Sequence, residues 1–167
     1  MGYTYVIIAI KRAYASIVEL VNPNMNYEKA YGVIIFRIDK EALFLLLHKK
    51  YKSEYWDLVK GHAEGEESDV DAVKRELNEE TGITEAIFLK GFKENKNFFY
   101  KFGKDLIRKD VVYFLAEVKT VDIKISFEHD AYKWVNLIGA LKLIKFKNTR
   151  ELIKKANKFI IDNIFTK

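Results

Sequence analysis

The stretch GHAEGEESDVDAVKRELNEETGI, residues 61–83, limits what this 167-residue chain can become more than any other part of it. It holds eight acids (Glu64, Glu66, Glu67, Asp69, Asp71, Glu76, Glu79, Glu80) and two bases (Lys74, Arg75), in a chain whose net charge is +5. Taking these ten away from 29 bases and 24 acids leaves 27 and 16, an excess of +11. The spacing predicts a helix from about Asp69 to Thr81. Val70, Val73 and Leu77 stand at i, i+3 and i+7 as one buried stripe, and Gly82 supplies the stop.

Glu76, Glu79 and Glu80 stand at i, i+3 and i+4, hence on one helical face. Like charges at that spacing repel, and the last turns of a helix disfavour anions. Stability by itself would place lysines there. Glutamates on an amphipathic helix often form a solvated face, but clustered carboxylates also suit hard cations such as Mg²⁺ or Mn²⁺. Without a cation, at least one of the three should have a raised pKa.

The length predicts one domain. Cysteine is absent, which excludes disulfides, thiolate metal sites and cysteine nucleophiles and fits a reducing compartment. Hydrophobic content of 49% and aromatic content of 14% indicate a packed globule. The pI near 9.1 points to acidic partners, nucleotides or RNA, or to a solvated surface. Residues 141–167 carry eight bases against Glu151 and Asp162. The apolar start of the chain breaks at Lys11-Arg12 and Glu19. It is too short to span a bilayer and lacks the layout of a signal peptide. A soluble, cytoplasmic protein without membrane contact is expected. The sequence leaves its oligomeric state open.

After the turn signal NPNMN (22–26), the runs AYGVIIFRI and ALFLLLHKK read as a hairpin broken at Asp39-Lys40. YWDLV (55–59) reads as a short strand. AIFLKGF (86–92), FFYKF (98–102), VVYFLAEV (111–118) and AYKWV (131–135) read as further strands. NLIGALKLI reads as a short helix, and Asn148 to about Phe165 as a longer one with the stripe Leu152, Ala156, Phe159/Ile160 and Ile164. The expected class is α/β or α+β, with helices covering a mixed sheet.

The acidic segment follows G-x₅-E-x₇-R-E-U-x-E-E-x-G-U, with U a bulky aliphatic residue. Here it runs Gly61, Glu67, Arg75, Glu76, Leu77, Glu79, Glu80, Gly82, Ile83, with no departure. Chance produces this at about 10⁻⁸ or below per start position. The pattern is the Nudix box, and the segment resembles the Nudix hydrolases, which cleave a nucleoside diphosphate linked to another moiety. The resemblance implies an α/β/α sandwich with helices on both faces of a mixed sheet. It implies that Gly61 lets the backbone turn and brings the Lys60 carbonyl toward a metal, and that Glu67 and Arg75 pair to fix the loop. Glu76, Glu79 and Glu80 would hold Mg²⁺, or Mn²⁺. A glutamate of this trio, or one from a later loop, would orient or deprotonate the attacking water.

The flanks YWDLVKGH, GFK (91–93), KDVVYFLAEV (109–118), SFEHDAYKWV (126–135) and FKNTRELIKKANKFI (146–160) are similar, in order, to the asymmetrical diadenosine tetraphosphate hydrolases of animal and archaeal type. The likeness covers roughly residues 27–162. It implies Glu128 as a further metal ligand and catalytic carboxylate, Lys109 on the phosphate chain, Tyr132 near the adenine, and Tyr51 and Tyr55 beside the same site. Lys60 and His62 join the substrate contacts. An aromatic clamp suits a purine. Other readings stay open: Tyr132 and Trp134 alternate as core residues do, Tyr51 reads as surface, His62 as a loop cap, Lys109 as one lysine among many, and His48 as structural. Leu58-Val59 stand where the subfamily often has two prolines, and Tyr55 replaces a frequent histidine. The first residues have no counterpart there. Residues 1–26 are thus expected to be an extension, with Met25 as a natural start, and 27–167 the hydrolase domain.

The implied activity is hydrolysis of a dinucleoside polyphosphate, diadenosine tetraphosphate to ATP and AMP. The alternatives are pyrophosphohydrolysis at RNA 5′ ends, favoured by the basic C-terminal region, action on other nucleoside diphosphate derivatives, clean-up of oxidised nucleoside triphosphates, and a non-catalytic nucleotide or RNA sensor. The last would be expected to lose glutamates from the box, and none is lost.

Overall fold

The structure, a computed structural model, describes residues 25–50, 55–119 and 122–165. The described residues divide into two compact units: 25–28 with 97–109, and those of 29–96 with those of 110–165.

In the first unit the end of strand β5 (Ile87–Phe102) turns into the start of β6 (Asp105–Glu117). Gly103 takes the turn at φ 61°. Tyr100 donates its hydroxyl to Glu28 Oε1 at 2.8 Å. Phe99 and Phe102 are exposed. FFYKF is not a separate strand: one 16-residue strand runs through it and the preceding run.

The second unit carries most of the sheet. Strand β1 (Met25–Ile38) and β2 (Ala42–Lys49) form the expected antiparallel hairpin, with Phe36 opposite Phe44. YWDLV divides into β3 (Tyr55–Asp57) and β4 (Val59–His62). These serve different neighbours: β3 pairs with β2, Lys49 opposite Tyr55, and β4 pairs with β1, Lys60 opposite Gly32. Strand β7 (His129–Val135) lies against β2, Tyr132 opposite Leu47.

Helix α1 (Asp69–Thr81) begins where Ser68, in extended backbone, caps the Asp71 N–H, and ends at Gly82 with φ 70°. That left-handed position favours glycine. Its buried side is shifted from the expected stripe. Val70 is 43% exposed, whereas Ala72, Val73, Glu76, Leu77, Glu80 and Thr81 are buried. Ala72, Val73 and Leu77 pack on Tyr31, Val33, Ile35, Leu45, Leu47 and Val59. Side chains alternate across a strand, so the buried Ile34, Phe36, Phe44 and Leu46 face the other side. There α2 (Leu137–Leu143) touches β2, β7 and α3 (Lys147–Ile160). Leu152, Ile153, Ala156 and Ile160 are the buried stripe of α3. The α-helix stops there, five residues before the expected end, and Ile161–Phe165 continue as a π-helical turn. The result is an α/β sandwich with α1 on one face of the sheet and α2 and α3 on the other.

Candidate active site

The carboxylates gather where the C-terminal half of α1 crosses β4. Glu80 is 7% exposed and accepts the Lys60 backbone N–H on Oε2 at 3.3 Å. Glu76 is equally buried, and the reason for Gly61 is visible there. A Cβ at Gly61 would lie 1.9–2.0 Å from the Glu76 carboxylate atoms. Gly61 pairs within β4, opposite Tyr31. A side chain at Gly61 would displace the Glu76 carboxylate from its place, and the glycine sits in a paired strand, not in the tight turn expected from the sequence. Glu79 stays half-exposed.

The box arginine ties the segment together. Arg75 holds Glu67 through Nε at 3.1 Å and Nη2 at 2.7 Å, and donates Nη2 to the His62 carbonyl at 2.9 Å. Its Nη1 reaches Glu76 Oε1 at 2.8 Å and Glu79 Oε2 at 3.0 Å. Glu67 also caps the Glu64 N–H at 2.7 Å. The loop before α1 is thereby fixed from both ends.

A second segment reaches the site through the helix terminus. The last carbonyls of a helix lack internal partners. Here Lys124 donates its N–H to the Thr81 carbonyl at 3.0 Å, and Ser126 to the Glu80 carbonyl at 3.2 Å. Glu128 follows directly, its Oε2 3.5 Å from Lys49 Nζ.

Burial pushes Glu80 up to about 7, against the pull of the Lys49 and Lys60 charges. Burial also raises Glu76, against Arg75. A raised carboxylate was expected, but from like-charge repulsion; desolvation is the larger cause. His129, buried beside them, is held down to about 4, first by burial and then by Lys49.

Among the described residues, no three carboxylate or imidazole groups converge at metal-ligand spacing. A guanidinium instead bridges Glu76 and Glu79, so a cation already holds part of the set. Two desolvated glutamates, a third at the rim and the β4 backbone make an oxygen-rich donor set of the kind hard divalent cations take. Glu76, Glu79, Glu80 and the Lys60 carbonyl, with Glu128 from the second segment, are the groups that would hold one.

The other expected site residues have these surroundings. Tyr55 stacks edge-on against Phe146 at 5.1 Å. Tyr132 packs partly buried on the core cluster, as does Trp134. His62 is exposed at the end of β4. Lys60 turns its ammonium to Asp57, with the side chain 15% exposed. Lys109 belongs to the first unit, its Nζ 3.8 Å from Glu28 Oε2. Tyr51 lies outside the described residues, as do residues 1–24. His48 bonds Asp130 at 2.6 Å and packs on Trp56. Lys49, Asp57 and Tyr113 were missed. No sequence spacing singles them out, because three different strands bring them near the carboxylates.

The comparisons with known proteins meet this geometry. The NUDIX domain model matches residues 26–156. The chain belongs to the Nudix family. It is similar to the asymmetrical bis(5′-nucleosyl)-tetraphosphatase of Sus scrofa, 36% identical over 143 residues that cover 79% of this chain and 95% of that one. The Caenorhabditis elegans protein of the same name is 32% identical over 135 residues, covering 79% and 96%. The crystal structure of a C. elegans Ap4A hydrolase binary complex superposes with a TM-score of 0.72 at 30% identity, over 81% of this chain and 98% of that one. The Escherichia coli dihydroneopterin triphosphate pyrophosphohydrolase shares the fold, with a TM-score of 0.64 at 23% identity over 80% and 99%. No helix among the described residues is long and apolar enough to cross a membrane.

Proposed function

We propose that this Nudix hydrolase cleaves diadenosine tetraphosphate to ATP and AMP, with Mg²⁺ as its cation, in the cytoplasm. The observation that carries the reading is the match to asymmetrical tetraphosphatases along nearly their whole length. Residues 27–167 are the hydrolase domain and 1–26 an extension. A divalent cation supplies charge neutralisation on the phosphate chain and a more acidic water. The chain's own groups do the rest. Glu76, Glu79 and Glu80 seat the cation on a rigid helix end. Arg75 holds the loop and keeps Glu76 and Glu79 together until they are used. Glu76 or Glu128 takes the water's proton. His62 and Lys60 contact phosphate, and Tyr55 and Tyr132 lie along the adenine.

The RNA reading gains little from the C-terminal helix, three of whose lysines pair with acids. Lys154 pairs with Glu151, Lys155 with Glu94 and Lys158 with Asp162. The test is product analysis in oxygen-18 water with diadenosine tetraphosphate, a nucleotide sugar and 5′-triphosphorylated RNA. ATP and AMP, one of them carrying a single heavy oxygen, are expected from the first substrate at the highest rate. Faster release of pyrophosphate from RNA would replace this reading with the second.

A further inference from the structure

Beneath the carboxylates lies a buried polar row with one member unsatisfied. Asp57 on β3 is 5% exposed. Its Oδ1 accepts the Leu58 N–H at 2.9 Å, and its Oδ2 takes the Lys60 ammonium. Tyr113 on β6 is fully buried, yet its hydroxyl has no hydrogen-bond partner among the described residues. Its ring lies over Gly32, where a Cβ would come within 2.4 Å of it. Gly32 is the β1 residue opposite Lys60. The missing side chain thus lets the tyrosine cross β1 toward the Lys60–Asp57 pair. Burial raises the Tyr113 pKa, with Lys60, Asp57 and Glu80 all close enough to act on it. The Lys60 pKa is also raised, since Asp57 outweighs the effect of burial.

An unpartnered buried hydroxyl destabilises a fold, and phenylalanine would remove it at no loss of packing. A buried ion pair is likewise seldom the most stable filling. The hydroxyl makes sense if it gains a partner during turnover. Taking Lys60 as a phosphate contact, on which this inference rests, that step is defined. The Lys60 side chain is not sealed, but leaving Asp57 would strand a buried carboxylate. We propose that Tyr113 is a positioning residue that donates its hydroxyl to Asp57 when Lys60 swings from Asp57 to the substrate's phosphate chain. Asp57 is the latch, Lys60 the moving cation, and Tyr113 the group that lowers the cost of release.

Calorimetric titration with inorganic tripolyphosphate in the presence of Mn²⁺ tests this without depending on which nucleotide is the substrate. Tyr113→Phe should melt no lower than wild type but bind tripolyphosphate about ten-fold more weakly. Asp57→Asn should bind at least as tightly as wild type, and in that background Tyr113→Phe should have no further effect. A lower melting point for Tyr113→Phe, an unchanged affinity, or a loss that persists undiminished beside Asp57→Asn would overturn the proposal. Lys60→Met should lose affinity too, and no loss there would remove the premise. If diadenosine tetraphosphate proves not to be hydrolysed while the coupling is found, only the assigned substrate falls.

Discussion

Glu80 concentrates the conflict between folding and function in one side chain. It is buried, and its pKa is pushed up to about 7 from an ordinary 4.5. In the cation-free protein the folded state therefore binds its proton more tightly than the unfolded chain does. Its contribution to stability is fully present below pH 4.5 and is lost as pH rises through 7, on the order of 3 kcal/mol in all. Glu80→Gln removes that loss. The variant should melt at or above wild type at pH 8 without added metal, followed by thermal unfolding, while its turnover falls by about 10³ or more. Equal turnover would remove Glu80 from the metal set. Asp69 shows the opposite sign. Lys93 and the Tyr31 hydroxyl, at 2.7 and 2.6 Å, hold it down to about 2. Its stabilisation is present above an unfolded value of 3.8 and is lost as pH falls toward 2. A third of the side chain is exposed, so solvent screening leaves about 1 kcal/mol or less. Asp69→Asn should flatten the acid limb of the unfolding curve there.

Helix α1 was legible in the sequence because its signals are local. Ser68 and Gly82 bracket it, and the ends fall at Asp69 and Thr81 as the spacing predicts. Its buried face departs from the expected stripe at Val70, since periodicity admits several phases and only the sheet decides which one is covered. Glu76 and Glu80 take core-facing positions that a hydrophobicity pattern assigns to apolar residues. Likewise, FFYKF and AIFLKGF read as two strands because the polar Glu94–Asn97 interrupts their apolar pattern; in the structure β5 continues through it. The box residues were legible as a set, but Gly61's role was not. Only the helix crossing shows that a carboxylate occupies the space of its Cβ. Gly61→Ala should leave α1 helical by circular dichroism yet weaken Mn²⁺ binding about ten-fold or more, because Glu76 must move. Retained Mn²⁺ affinity would mean that Glu76 is not a ligand. Ser68→Ala tests the other end of the helix and should cost about 1 kcal/mol of stability with turnover unchanged.

At the scale of the whole molecule, two buried groups beside the site pull its pH response in opposite directions. His129 is held neutral, its pKa lowered to about 4 from 6.5 by burial. Between those values the unfolded chain binds its proton and the fold does not, so this part of the stability is lost as pH falls through 6.5 toward 4. Glu80 acts in reverse over much of the same window. The cation-free wild type should therefore vary little in stability between about pH 4.5 and 6.5, whereas Glu80→Gln should gain stability steadily as pH rises across it. Coincident curves would show that Glu80 does not titrate there. None of this could be foreseen from composition, which records a basic chain and not where its carboxylates lose water. The glutamate ridge, now bridged by Arg75, exists to seat divalent ions. The most direct measurement is anomalous scattering from crystals soaked in Mn²⁺. Manganese is expected within bonding distance of Glu76, Glu79 and Glu80, with Arg75 released from Glu79. Crystals without manganese there, with the guanidinium still on both carboxylates, would contradict it.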